Sequence, residues 1–256
     1  MEASSSHSRE SSEEGLKQSI PYSEEEVQAT KCVLYAFLPL ELVDGILDLA
    51  MYWPSIVSHE TRLVEATSEG SDNLIYFMAP PFLEGRLGVG APVNVKMIKF
   101  SLTSCDQGWG GEPNMPGPYH GSWSWFETAI FRATGFGFNW PEESNSAGVE
   151  CYQVLQKGGI EQVPNPVNSK KVWTLQRNIR AYSMTAIHEV VWIKSSSHKI
   201  ETSVRDEEDL DTGSGLGVGF INSLVSGDRI AIIAKARYPG WINHVYDAKI
   251  EVFYSL

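Results

Sequence analysis

The sequence predicts a mainly β protein, an antiparallel β-sandwich or jelly roll preceded by a short N-terminal helical segment. Three observations lead there. Helical spacing of apolar residues is confined to the stretch before about residue 56. Beyond about residue 70, short β-type runs are separated by clusters of Gly, Pro, Asn and Ser. No long helices lie between those runs to supply parallel crossovers, which leaves antiparallel sheets packed face to face.

Taken in order, residues 1–22 read as a disordered acidic tail, because Ser and Glu dominate and almost nothing apolar precedes Ile20. Glu24, Glu25 and Glu26 then suit the positive end of a helix dipole, and Val27, Leu34 and Phe37 follow at helical spacing to about Ala36. In the next segment Pro39 fits a first helical position, and Leu42, Ile46, Leu49 and Trp53 recur at i, i+4, i+7 and i+11 before Pro54 ends the run. Val43, Leu47 and Ala50 widen that apolar face, so the helix should dock on something. The helical segment thus spans 23–56 and the sandwich 70–256.

Strands are expected near Leu74–Met78, Val95–Leu102, Ser122–Arg132, Tyr152–Leu155, Val172–Gln176, Ile187–Ile193, Arg229–Arg237 and Lys249–Tyr254. In the last two, apolar and charged residues alternate, the pattern of strands with one wet face.

Composition narrows the function. The 256 residues carry 20 Lys and Arg against 32 Asp and Glu, for a net charge of −12. That argues against nucleic acid as a partner. Most of the excess acid lies in the N-terminal tail and in Glu201–Asp211, where it reads as solvated tail and loop. No apolar run is long enough to span a membrane, and no secretory leader is apparent. Cys32, Cys105 and Cys151 are spaced like reduced thiols, so the expected compartment is cytoplasmic or nuclear.

The densest stretch, Ser104–Glu127, is a Gly/Pro-rich loop carrying Asp106, Gln107, Trp109, Tyr119 and His120, followed by Trp123 and Trp125 on one strand face. Aromatic rings beside amides and a carboxylate suit a sugar or a peptide, since rings offer stacking area and Asp or Gln fixes orientation. The commoner use of such residues is turn service by Asp106 and Gln107 with Trp109 plugging the end of the sandwich. A second loop, Tyr238–His244, brings Trp241, Asn243 and His244, which antiparallel topology can place at the same end. Arg177, at the end of a strand, can reach that rim or simply pair on the surface.

Enzyme templates mostly fail. The histidines show no paired metal spacing and the cysteines no CxxC, so neither a metal nor a cofactor is expected. Cys105 with His120 or His244 lacks the setting that activates a thiol and reads as a buried structural residue. Gly213–Gly219 follows an acidic loop instead of a strand and reads as a flexible loop. Glu127, Glu189 and Glu251 fall on wet strand faces.

The run Leu38-Pro-Leu-Glu-Leu-Val-Asp-Gly-Ile-Leu-Asp-Leu-Ala resembles the opening helix of an F-box, truncated because Tyr52-Trp-Pro54 stops it. The resemblance implies docking on a Skp-type adaptor of a cullin ubiquitin ligase through Leu38, Pro39, Leu42, Ile46 and Leu47, with Leu49 and Trp53 extending the same stripe. The whole chain is similar to a group of filamentous-fungal proteins that join such a segment to a β-rich region. The segments carrying that similarity are Asp106–Gly111, Gly121–Glu127, Trp173–Asn178 and Gly227–Trp241. The last of these, with the strand after it, is similar to the end of galactose-binding-like jelly rolls.

The reading is a non-enzymatic binding protein whose sandwich recognises a protein or glycan through the two aromatic loops and whose helix engages an adaptor. The alternative is a carbohydrate or small-molecule binder, with or without hydrolytic activity, in which the helix packs as part of one domain. That alternative requires Asp106, Trp109, Tyr119, His120, Trp241 and His244 to converge on one concave site. A third reading is self-assembly through the sandwich edges.

Overall fold

The computed structural model describes residues 22–68, 74–84, 86–111, 114–134, 159–168, 170–194, 209 and 211–256. The expected strand Tyr152–Leu155, Cys151, the acidic residues 201–208 and all but the last residue of the tail lie outside them.

Two short helices come first. Helix α1 (Glu24–Tyr35) starts with a capping box: the Glu26 N–H donates to Ser23 Oγ at 3.1 Å, and the Ser23 N–H donates to Glu26 Oε2 at 2.8 Å. Glu24 in its first turn accepts from the Tyr254 hydroxyl and pairs with Arg86, which ties the helix to the sandwich. Helix α2 (Leu40–Leu49) follows, with Pro39 as its N-cap, one position before the first helical turn. It ends at Leu49 because Met51 turns left-handed, at φ 50°.

Nine strands form two antiparallel sheets: β1 (Ser55–Thr67), β2 (Leu74–Met78), β3 (Val95–Asp106), β4 (Ser124–Ala133), β5 (Ile160–Gln162), β6 (Trp173–Arg177), β7 (Ala186–Ile193), β8 (Arg229–Ala236) and β9 (Ile242–Tyr254). The first sheet runs β1-β9-β3-β7. The second runs β2-β8-β4-β5, with β6 also paired to β4. A one-turn helix, α3 (Phe220–Ser223), precedes β8. The protein is therefore a β-sandwich with a short helical segment. No described helix is long and apolar enough to cross a membrane.

Two strands are absent from the expected set. β5 has only three residues. β1 begins at Ser55, so the sandwich starts ahead of residue 70. β1 is an edge strand with Ala66 as its single buried residue, and its register with β9 shifts between Thr61 and Val64, where the buried residues of β9 change phase from Asn243 and Val245 to Ala248 and Ile250. Buried Tyr76 serves that irregularity: its hydroxyl accepts from the Arg62 N–H at 3.2 Å and donates to the Arg62 carbonyl at 2.8 Å.

The core lies between the sheets, where Phe100, Leu102, Phe126, Ile130, Trp173 and Ile250 are essentially inaccessible. Phe220 of α3 plugs it, edge-on to Trp173 and Trp192 with ring centroids 5.0 Å away in each case. β8 corrects the expectation of a wet face. Its outward Ala231 and Ile233 are buried in a second apolar cluster with Ile75, Met78 and Phe131, and Arg229 is buried with its Nε donating to the Ala79 carbonyl. A strand in the middle of a sheet can be covered on both faces, and alternation does not report that.

Gly213–Gly219 is a packed crossing, not a flexible loop. The Gly215 N–H donates to the Leu175 carbonyl, and the indole N–H groups of Trp192 and Trp173 donate to the carbonyls of Gly215 and Val218. A Cβ at residue 215 would stand 1.9 Å from the Thr174 carbonyl oxygen, and one at residue 217 would stand 2.1 Å from the Trp192 ring. The glycines are there because neighbours press on the backbone.

Candidate functional site

Asp106 ends β3 and is 1% exposed. Its Oδ1 accepts from the backbone N–H groups of Gly108 at 2.7 Å and Tyr182 at 2.8 Å, and its Oδ2 from Ala181 at 2.6 Å. Burial pushes this carboxyl above the ordinary carboxylate range, and the three N–H donors pull it back. Its oxygens face the protein's own turns, so Asp106 is a structural clamp and not a ligand contact. Gln107 is similarly engaged: Oε1 accepts from the Ile242 N–H at 3.1 Å and Nε2 donates to the Trp109 carbonyl.

The two aromatic loops do meet at one end of the sandwich. Trp241, 7% exposed, packs over Gly110, while Trp109, 60% exposed, lies on Gly240, where an added Cβ would stand 2.8 Å from Cη2 of the ring. Beyond that contact the expected residues diverge. Asn243 and His244 are neighbours on β9, so their side chains leave opposite faces of the sheet. Asn243 points between the sheets and is fully buried; its Nδ2 donates to the Trp125 carbonyl at 2.9 Å and to the Lys235 carbonyl at 3.4 Å, and its Oδ1 accepts from Asn178 at 2.9 Å. His244 points outward, with Nδ1 3.3 Å from Glu65 Oε1.

Tyr119 and His120 do not join them. The Tyr119 ring stands edge-on to His188 on β7, with centroids 6.2 Å apart, and presses on Gly213. His120 is half-buried and gives its carbonyl to the Arg180 guanidinium. Arg177 donates to the Ser122 carbonyl at 2.7 Å and so braces the loop. Cys105 is buried, 3.8 Å from the Tyr246 hydroxyl, and burial raises its thiol, the opposite of what a nucleophile needs. One concave site holding Asp106, Trp109, Tyr119, His120, Trp241 and His244 is therefore not present.

A groove that sequence reasoning did not assemble lies on the outer face of the second sheet. It encloses about 620 Å³ and is lined by Ser68, Trp125, Glu127, Lys235, Arg237 and Tyr238, among others. Trp125 and Lys235 are direct partners across β4 and β8. The Trp125 indole N–H donates to Glu127 Oε1 at 3.2 Å, and Lys235 Nζ stands 3.9 Å from Glu127 Oε2. The carboxylate and ammonium side chains are only 19% and 14% exposed, so both are held in place. At the rim the Arg237 guanidinium lies over Trp123 and Tyr238, 5.8 and 5.5 Å from the ring centroids, and those two rings meet edge-on at 4.9 Å. The alternation of Trp125 with Glu127 was visible in the sequence. Their juxtaposition with Lys235 depends on strand register.

The second surface is on α2. Val43 and Leu47 are buried within the protein, and on the adjacent flank Asp44 pairs with Lys31 of α1 at 2.9 Å and Asp48 with Lys96 of β3 at 2.7 Å. The helix is thus fixed along one side by two apolar residues and two ion pairs. Leu42, Ile46 and Leu49 occupy the other side and are 56%, 42% and 89% exposed. Pro39 is exposed and Leu38 half-buried beside them. Trp53 departs from this stripe: α2 ends at Leu49, the chain reverses, and Trp53 tucks in at 7% exposed with its Nε1 donating to Asp48 at 2.9 Å. Leu47, which the F-box resemblance placed on the docking side, is buried within the protein as well.

No protein-family model matches the chain, and no curated protein is significantly similar to it.

Proposed function

We propose that this is a binding protein in which α2 docks on a Skp-type adaptor of a cullin ubiquitin ligase and the β-sandwich serves as the receptor. One observation carries the reading. Leu42, Ile46 and Leu49 form an uncovered apolar stripe on a helix whose opposite flank is held by Val43, Leu47 and two ion pairs. A helix needing only to complete the domain would expose polar residues there. Burying each of the three in a partner is worth about 1.5–3 kcal/mol, enough to anchor an interface. The F-box-like order Leu38-Pro39-x-x-Leu42 supplies the identity of the partner, which would place the protein in the cytoplasm or nucleus.

The test is a calorimetric titration of the protein with a purified Skp-type adaptor, using wild type and the Leu42→Asp, Ile46→Asp double variant. Saturable binding by wild type, weakened about a hundredfold or more in the variant at an unchanged melting temperature, is the expected result. Failure of the wild type to bind, or equal binding by both, would remove the adaptor from the reading.

A further inference from the structure

We propose that the groove on the outer face of the second sheet binds an oligosaccharide, with Trp125 and Tyr238 stacking on sugar rings and Glu127 accepting from their hydroxyls. This rests on reading the sandwich as the receptor, but not on adaptor docking, which uses other residues.

The groove is an open depression of about 620 Å³, within the size range of ligand sites. Its floor is made by β4 and β8, both interior strands whose backbone groups already pair with neighbours on each side. A peptide cannot add to the sheet there as a further strand, so recognition falls to side chains. The side chains present are ring faces, a carboxylate held by Lys235, and the Arg237 guanidinium at the rim. Rings offer flat apolar area to the C–H faces of a pyranose, and a carboxylate has about four acceptor sites, of which the Trp125 indole N–H takes one.

The arrangement is pre-organised before any ligand arrives. Lys235 and the Trp125 N–H hold Glu127 from two directions, and Arg237 stiffens the rim by lying over Trp123 and Tyr238. From beneath, the buried Asn243 amide donates to the carbonyls of both Trp125 and Lys235, fixing the two strands at the position where they carry the site. Asn243 is thus a positioning residue for this groove, not a ligand contact. Rigid groups that need no reordering on binding favour affinity for a weakly held, hydroxyl-rich ligand.

The experiment is a calorimetric titration of the full chain with four probes: cellohexaose, xylohexaose, mannohexaose and chitohexaose. At least one is expected to bind saturably at one site. Trp125→Ala should weaken that binding about tenfold and Glu127→Gln several-fold, each with a melting temperature within a few degrees of wild type. Trp125→Phe, which keeps a ring and guards against a folding defect, should fall between Trp125→Ala and wild type. The Leu42→Asp, Ile46→Asp variant should bind sugar like wild type, and Trp125→Ala should bind adaptor like wild type, so that either half can fail alone. If no probe binds wild type, or the groove variants all bind like wild type, the proposal is overturned. Capture of members of an arrayed peptide set, lost in Trp125→Ala, would equally overturn it by assigning the groove to a protein ligand.

Discussion

Asp106 and Glu127 are both carboxylates on strands beside tryptophans, yet their surroundings differ. Asp106 is buried with three backbone N–H groups on its two oxygens. Glu127 takes a single indole N–H, stands near an ammonium and lines an open groove. The Gly-rich stretch around Asp106 looks more like a binding loop in sequence, but those glycines shape turns that the carboxylate then clamps. Availability follows from what a group's hydrogen bonds are already attached to, and density of interesting residues does not measure it.

The sharpest way to break that contrast is to remove each carboxylate. Asp106→Ala would leave three backbone amides without their acceptor, and at about 1–3 kcal/mol for each buried orphan, partly offset by entering water, the expected loss is about 4 kcal/mol. In a domain of this size that lowers the melting temperature by about 10 °C. Glu127→Gln should shift it by no more than a few degrees. A thermal melt of the two variants settles the matter, and a larger loss in Glu127→Gln would reverse the roles assigned here.

The tryptophans at the meeting of the two loops give the next largest effect. Trp241 is 7% exposed and seated on Gly110, so Trp241→Ala should cost about 3 kcal/mol through the cavity it leaves. Trp109 is 60% exposed, and Trp109→Ala should cost about 1 kcal/mol or less. Denaturant titration reads both, and equal losses would mean that Trp109 plugs the sandwich after all.

These pairs also show what the sequence could convey. β2, a short continuous apolar run, and β7, whose burial alternates, were legible to within a residue, as were the start of α1 and the apolar stripe of α2. β1 was not, because its edge position leaves it mostly polar and exposed, with Ala66 as its single buried residue. Only the register of β4 on β8 brings Lys235 to Glu127, and no local pattern encodes register between strands a hundred residues apart. The divergence of Asn243 and His244 did follow from period-two geometry, once both are placed on one strand.

On α2 the same contrast holds between two sides of one helix. Leu47→Ala should cost about 2 kcal/mol because Leu47 is only 7% exposed. Leu42→Ala should change stability by less than about 0.5 kcal/mol. Equal effects would show the outer stripe to be covered in solution, and adaptor docking would lose its motivation.

His188 is neither engaged nor available. It points between the sheets from β7, it is 7% exposed, and its Nε2 has no hydrogen-bond partner. Burial holds the imidazole below the ordinary histidine range, so the fold favours the neutral ring. The sign follows: stability from this residue is full above about pH 6.5, where the unfolded chain is also neutral, and declines as pH falls below that value. Wild type should therefore lose more melting temperature than His188→Leu between about pH 7.5 and pH 5. Every other histidine is common to both proteins and drops out of the difference. This is the smallest of the effects, and a difference independent of pH would mean that His188 can take up a proton without the sheets parting around it.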